Sequence, residues 1–198
     1  FLIARRFMYW QVYLHKTSLV AEQLLIKVLQ RAKELTNSGI ALQCSEPLSY
    51  FFTNTVTLDS FDDSVLQMFS KLDDVDIVSA MKTWQFHDDF VLSNLCDMIV
   101  NRDLLKIKIR DKKVKSSKLF EYKSKLIHKY NITEEEADYF VFTGEISNQA
   151  YQQKRQNINI LYKTGKVTDI SKAPDQLNLR ALSKPVTKYY ICYPKEKL

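Results

Sequence analysis

Apolar residues in this chain change their spacing after Asn101, and that change decides the fold class. Up to Asn101 they recur every three or four residues; from 104 to 110 Leu105, Ile107 and Ile109 alternate with Lys106, Lys108 and Arg110. The first spacing is the stripe of an amphipathic helix, the second a strand with one apolar and one cationic face. Val20, Leu24, Val28, Ala32 and Leu35, widened by Leu25 and Leu29, predict one long helix over 11–38, stopped by Gly39 in a left-handed cap. Pro47 predicts a further turn over 46–52. Helices are expected over 59–72, capped by Asp59 or Ser60 with Phe61, Val65, Phe69 and Leu72 apolar, and over 73–84 and 88–101. A helix over 117–130 follows, with Leu119, Leu126, Ile127 and Tyr130 inward. Thr133-Glu134-Glu135-Glu136 reads as a capping box. Beyond it, 139–143, 157–163, 166–170 and 188–193 are rich in aromatic and β-branched residues and read as strands. Thr164-Gly165 turns a hairpin, and Pro174 opens a short helix to Leu182. The expectation is an α+β fold, a mostly helical N-terminal half with a smaller C-terminal antiparallel-sheet lobe. Its two parts, 1–132 and 133–198, are continuous with one another.

Composition removes several function classes. The 198 residues contain three glycines, Gly39, Gly144 and Gly165, none near another. A dinucleotide fingerprint or a Walker-type loop needs clustered glycines, so both are excluded. His15, His87 and His128 are too scattered for an all-histidine metal site. No apolar run approaches the ~18–20 residues of a membrane span. Cys44, Cys96 and Cys192 are odd in number and lack CxxC spacing. They read as free thiols in a reducing compartment, which points to a cytoplasmic protein. Phe1–Ala4 runs into Arg5-Arg6, the reverse of a signal peptide's order. With no initiator Met, the chain is expected to be a piece of something longer.

Charge is unevenly spread. Residues 1–100 hold 8 Lys and Arg against 12 Asp and Glu, net −4; residues 101–198 hold 21 against 11, net +10. The second part is expected to meet an anion. The tract from Arg102 to Lys129 concentrates this charge, with 11 basic and three acidic residues. It reads as a solvated surface, as an anion site on Lys106, Lys108 and Arg110, or as a strip for RNA or single-stranded DNA. The acidic clusters Asp62-Asp63, Asp73-Asp74-x-Asp76 and Asp88-Asp89 stand where helix dipoles favour negative charge and read as caps. Asp74-Val75-Asp76 lacks the glycine and glutamate of a calcium loop. His87-Asp88 reads as an interhelix turn.

The segment from Ala4 to Thr17, Ala-Arg-Arg-Phe-Met-Tyr-Trp-Gln-Val-Tyr-Leu-His-Lys-Thr, gathers the groups that hold a nucleotide. Arg grips phosphate bidentately, Lys adds a point charge, and Tyr packs on base or sugar. Arg5-Arg6, Met8-Tyr9, Val12-Tyr13 and His15-Lys16-Thr17 resemble the stretch just downstream of the catalytic half in HD-domain dNTP triphosphohydrolases. Arg102-Asp103-Leu104-Leu105-Lys106, opening a basic strand, is similar too. The resemblance covers most of 1–130 and implies that the helical part is the end of an HD-type helical domain. It implies that Arg5 contacts phosphate and Tyr13 lines base and sugar on the substrate side. His15, Lys16, Arg102 and Lys106 would border a regulatory nucleotide site between subunits. The family's divalent metal is held by a His…His-Asp…Asp set lying before this stretch. The 198 residues lack that set, so no catalytic residue, metal ligand or cofactor is expected here, and the chain alone is expected to be inactive as a hydrolase. The implied partners are a deoxynucleotide or a guanine nucleotide and further copies of the chain, with no membrane. A stand-alone RNA- or single-stranded-DNA-binding module, or a scaffold, is the alternative.

Overall fold

The computed structural model describes residues 2–148, 158–170 and 186–195, without the side chains of Leu2, Arg6, Trp10, Tyr13 and Asn148. It is α+β, as expected. The described elements are α1 (Leu2–Met8), a π-helical turn (Tyr9–Tyr13), α2 (Lys16–Asn37), α3 (Glu46–Thr53), α4 (Asp63–Lys71), α5 (Asp74–Trp84) and α6 (Phe90–Val100). Then come β1 (Lys106–Arg110), α7 (Ser116–Tyr130), α8 (Glu134–Phe140), β2 (Phe142–Asn148), β3 (Asn159–Leu161), β4 (Val167–Asp169) and β5 (Val186–Tyr193). They group into two compact units that interleave along the chain. The first is Phe1–Leu19, Lys106–Ile132 and Val141–Tyr193; the second is Val20–Leu105, Thr133–Phe140 and Pro194–Leu198.

The first unit is built on a three-stranded antiparallel sheet in the order β1-β5-β2. Strand β5 is central, and Tyr190, Ile191, Cys192 and Tyr193 are all buried. Its register sets Ile107 opposite Cys192, Ile109 opposite Tyr190 and Arg110 opposite Tyr189. On the other side Gly144 faces Tyr190 and Ile146 faces Lys188. Gly144 is required there, because a Cβ at that position would run into the Tyr190 ring. Tyr122 of α7 stacks on Tyr193 at 4.3 Å, and burial first, then Tyr193, raises its phenol pKa above the usual value. The hairpin β3-β4 turns at Gly165, whose φ of 79° is left-handed.

The second unit rests on the stripe read from α2: Val20, Leu24, Val28, Ala32 and Leu35 are buried. Gly39, at φ 88°, ends that helix; its N–H donates to Thr36 O and that of Ile40 to Leu35 O, both 3.0 Å. This is the paired-bond cap that a left-handed residue permits. Lys33 Nζ donates to the carbonyls of Phe51, Phe52 and Asn54 at 3.0, 2.7 and 3.1 Å, tying down the end of α3. Trp84 is buried with its indole N–H on Gln43 O at 3.0 Å. Arg31 grips Asp89 with two bonds of 3.1 and 2.6 Å while Asp89 also caps α6 through Leu92 N–H. Burial alone would raise the Asp89 carboxyl, but Arg31 and the Leu92 N–H hold it below the usual aspartate range.

Several expectations need correction. The helix expected over 11–38 is two pieces, broken at Leu14–His15, because Leu14 N–H closes a wider π turn on Tyr9 O at 2.7 Å. The helix expected from 59 starts at Asp63 with Asp62 as its cap, since Thr57–Ser60 form a separate hydrogen-bonded turn. Of the apolar residues named for that helix, Val65 is buried while Phe61 and Phe69 are exposed. The cap of α6 is Asp89, not Asp88. Tyr139 and Phe140, read as strand, finish α8, whose Thr133–Glu136 capping box propagates helix through them. The helix expected from Pro174 lies outside the described residues. Asp62, Asp73 and Asp89 all cap helices, as read. Cys96 and Cys192 are buried and outside any disulfide, burial pushing the Cys96 thiol up to about 12, whereas Cys44 is partly exposed.

Two stability outcomes follow from this packing. Asp89→Asn keeps a cap but strands Arg31, and should cost about 2–3 kcal/mol in urea denaturation, discounted because both side chains keep some water. Asp89 titrates below its unfolded value, so its contribution is full above about pH 4 and is lost as pH falls through the lower folded pKa. The variant should lack that acid loss. Gly144→Ala should lower stability by about 1–3 kcal/mol through displacement of Tyr190, and should be partly rescued by Tyr190→Leu.

Candidate functional site

The chain's route between helix and sheet in the first unit produces a basic concavity. The π turn leaves Leu14 and His15 outside regular helix, and His15 O then accepts Leu19 N–H at 3.0 Å as α2 begins. Extra-residue turns of this kind cluster at functional positions because they re-aim the side chains that follow. Thr17 N–H donates to His15 Nδ1 at 3.4 Å. The neutral ring therefore carries its proton on Nε2, available as a donor. Lys16 follows on the first turn of α2, exposed.

Strand pairing supplies the opposite wall. Arg110 is the last residue of β1, and Lys188 enters from β5. Leu14, His15, Lys16, Ile109, Arg110, Asp111 and Lys188 together line a cavity of about 470 Å³. Lys188 Nζ lies 3.9 Å from Asp111 Oδ1, a long pair with the carboxylate almost fully exposed. Such a pair is worth little in water and puts little hindrance in the way of an entering anion. Three permanent cations and one imidazole donor against one exposed carboxylate give this small-molecule-sized cavity a charge suited to an anion.

The six residues singled out from the sequence are distributed unevenly. His15 and Lys16 line this cavity. Arg5 lies on α1, half-buried, with its guanidinium 5.7 Å from the Tyr9 ring centre. Tyr13 ends the π turn; its side chain lies outside the described residues. Lys106 opens β1 opposite Tyr193 and is exposed, two pleats from Arg110 and not in the cavity lining. Arg102 belongs to the second unit, exposed, just after α6. Its φ of 58° is left-handed, a conformation that a helix end ordinarily gives to glycine. For an arginine this costs roughly 1 kcal/mol. Lys188 was not singled out: it lies in another strand far along the chain, and only the β5 register reveals its neighbours.

Among the described residues no three His, Cys, Asp or Glu side chains gather as a metal site needs. His87 accepts Asp89 N–H on Nδ1 at 3.0 Å, as an interhelix turn does. No described helix is long and apolar enough to cross a membrane.

No family model matches the chain. It is 41% identical to a phosphohydrolase of known crystal structure from Bacteroides thetaiotaomicron, with a TM-score of 0.88. That match covers 98% of this chain and 49% of the other. The chain is similar to part of a phosphohydrolase. It is also 27% identical over 206 residues to YwfO, an uncharacterized protein of Bacillus subtilis (strain 168), covering 99% of this chain and 44% of that protein. This phosphohydrolase-like chain thus spans about half the length of the relatives it matches.

The backbone at Arg102 gives a direct check on whether its strain is retained for binding. Arg102→Gly should raise the melting stability by about 0.5–1 kcal/mol while removing whatever Arg102 contributes to ligand affinity. Calorimetric melting with and without nucleotide separates the two effects.

Proposed function

We propose that this chain is the nucleotide-contacting and regulatory part of an HD-domain dNTP triphosphohydrolase-like protein. The observation that carries the reading is the meeting of His15 and Lys16 with Arg110 and Lys188 around one basic cavity. The likeness to a phosphohydrolase supports the phosphate chemistry. In the whole protein, water would attack the α-phosphorus; a P–O bond to water forms and the bond to the 5′ oxygen breaks, releasing deoxynucleoside and triphosphate. The His…His-Asp…Asp metal-binding set that the resemblance implies would activate that water, and it is not among these 198 residues.

The part played by these residues is positioning and charge neutralisation. Arg5 would meet substrate phosphate and Tyr13 the base and sugar. His15 and Lys16, joined by Arg102 and Lys106, would hold a deoxynucleotide or guanine nucleotide as effector where copies of the protein assemble. Free thiols and the nucleotide ligand suit a cytoplasmic setting.

A charge-assisted bond to phosphate is worth about 1.5–3 kcal/mol. Lys16→Ala should therefore weaken nucleotide binding by about 10- to 100-fold in calorimetric titration. In the longer protein, Lys16→Ala with Arg102→Ala should abolish nucleotide-induced assembly in sedimentation velocity. Unchanged sedimentation of that double variant would sink the regulatory reading.

A further inference from the structure

A second cavity of about 490 Å³ lies in the first unit, where the chain leaves β1 and enters α7. Its walls carry five cations, Arg110, Lys112, Lys113, Lys115 and Lys118, against one carboxylate, Glu121. That carboxylate is already engaged: Lys125 Nζ donates to Glu121 Oε1 at 2.6 Å and, with its charge, holds the Glu121 pKa below the usual value. Among the described residues none of the five cations has an ion pair. Two are steadied without being neutralised, Lys113 over the Tyr189 ring at 5.8 Å and Lys118 over Tyr122 at 5.9 Å.

Concentrating like charge this way is unfavourable in the empty protein. Two such charges about 8 Å apart repel by roughly 0.5 kcal/mol even in water. A compact anion with several charges relieves many of these repulsions at once, whereas a carboxylate or single phosphate relieves few. Nucleic acid fits less well. Its single strands are held by a groove that tracks the backbone and by aromatic faces on which bases stack. Here the cations surround one concavity, and no aromatic side chain lines it.

We infer that the cavity formed by Arg110, Lys112, Lys113, Lys115 and Lys118 binds a short polyphosphate chain, of the kind found in inorganic triphosphate or in the tail of a nucleoside triphosphate. The site is separate from the His15–Lys16 cavity, which shares with it only Arg110. It does not depend on the nucleotide reading of that cavity. Recognition is of phosphate alone, so base and sugar are left outside.

Calorimetric titration of the full chain with inorganic triphosphate tests this. We expect saturable binding at this cavity that weakens at least tenfold in Lys113→Gln/Lys115→Gln and, independently, in Lys112→Gln/Lys118→Gln. Lys16→Ala should leave it unchanged. Lys112, Lys113 and Lys115 are exposed and Lys118 is half-buried, and circular dichroism should show native folding in both pairs. A nucleoside triphosphate that binds with the same lysine dependence, while its monophosphate does not, identifies the nucleotide tail as the source. Binding of inorganic triphosphate alone identifies the free anion. The inference is overturned if triphosphate does not saturate, if neither pair weakens it, or if a single-stranded oligonucleotide binds these lysines while triphosphate does not. Loss of triphosphate binding only in Lys16→Ala would also overturn it, by assigning the anion to the other cavity.

Discussion

Antiparallel pairing of β5 with both β1 and β2 is the constraint on which the basic face of the molecule depends. It is a buried pairing, with Ile191 and Cys192 fully removed from water. Because side chains alternate along a strand, its register decides which cations meet. Setting Ile109 opposite Tyr190 and Ile146 opposite Lys188 brings Lys188 to the same end of the sheet as Arg110. A slip of one residue would send Lys188 to the opposite face and dissolve the first cavity. Gly144 guards that register, since the Tyr190 ring lies across it and no other residue type leaves the space.

The second unit solves a different problem, ordering short helices around one long one. Its apolar stripe on α2 supplies the burial, and polar ties from the same helix set the directions. Arg31 takes the α6 cap, Lys33 takes the last carbonyls of α3, and Lys27 donates to Asp138 O of α8 at 2.9 Å. Both Lys27 and Arg31 lie over the Tyr139 ring, at 5.1 and 5.8 Å. Burial foremost, then Glu34, pushes the Tyr139 phenol well above its ordinary pKa, so it stays neutral beneath these cations. One helix therefore carries both the hydrophobic surface and the instructions for docking its neighbours.

Period and caps made much of this legible in the sequence. The α2 stripe, the Gly39 stop, the Thr133–Glu136 box and the alternation in β1 are local signals, and the structure contains each of them. The misses were of another kind. A π turn carries no glycine or proline marker, so the break at Leu14–His15 was invisible. Tyr139 and Phe140 have strand-like side chains, yet they continue a helix already nucleated by a strong cap; local propensity lost to propagation. For the site, resemblance and composition pointed to His15 and Lys16. Their partner Lys188 could not be found that way, because strand pairing between distant segments leaves no local mark.

Nucleotide binding in the cavity around His15, Lys16, Arg110 and Lys188 is the proposal from which the functional reading follows. The most direct measurement is a titration of the isotopically labelled chain with dGTP, followed through backbone amide resonances. Saturable shifts at His15, Lys16 and Lys188 are the predicted result. Shifts confined to Lys112–Lys118, or no shift at any of the three, would contradict it.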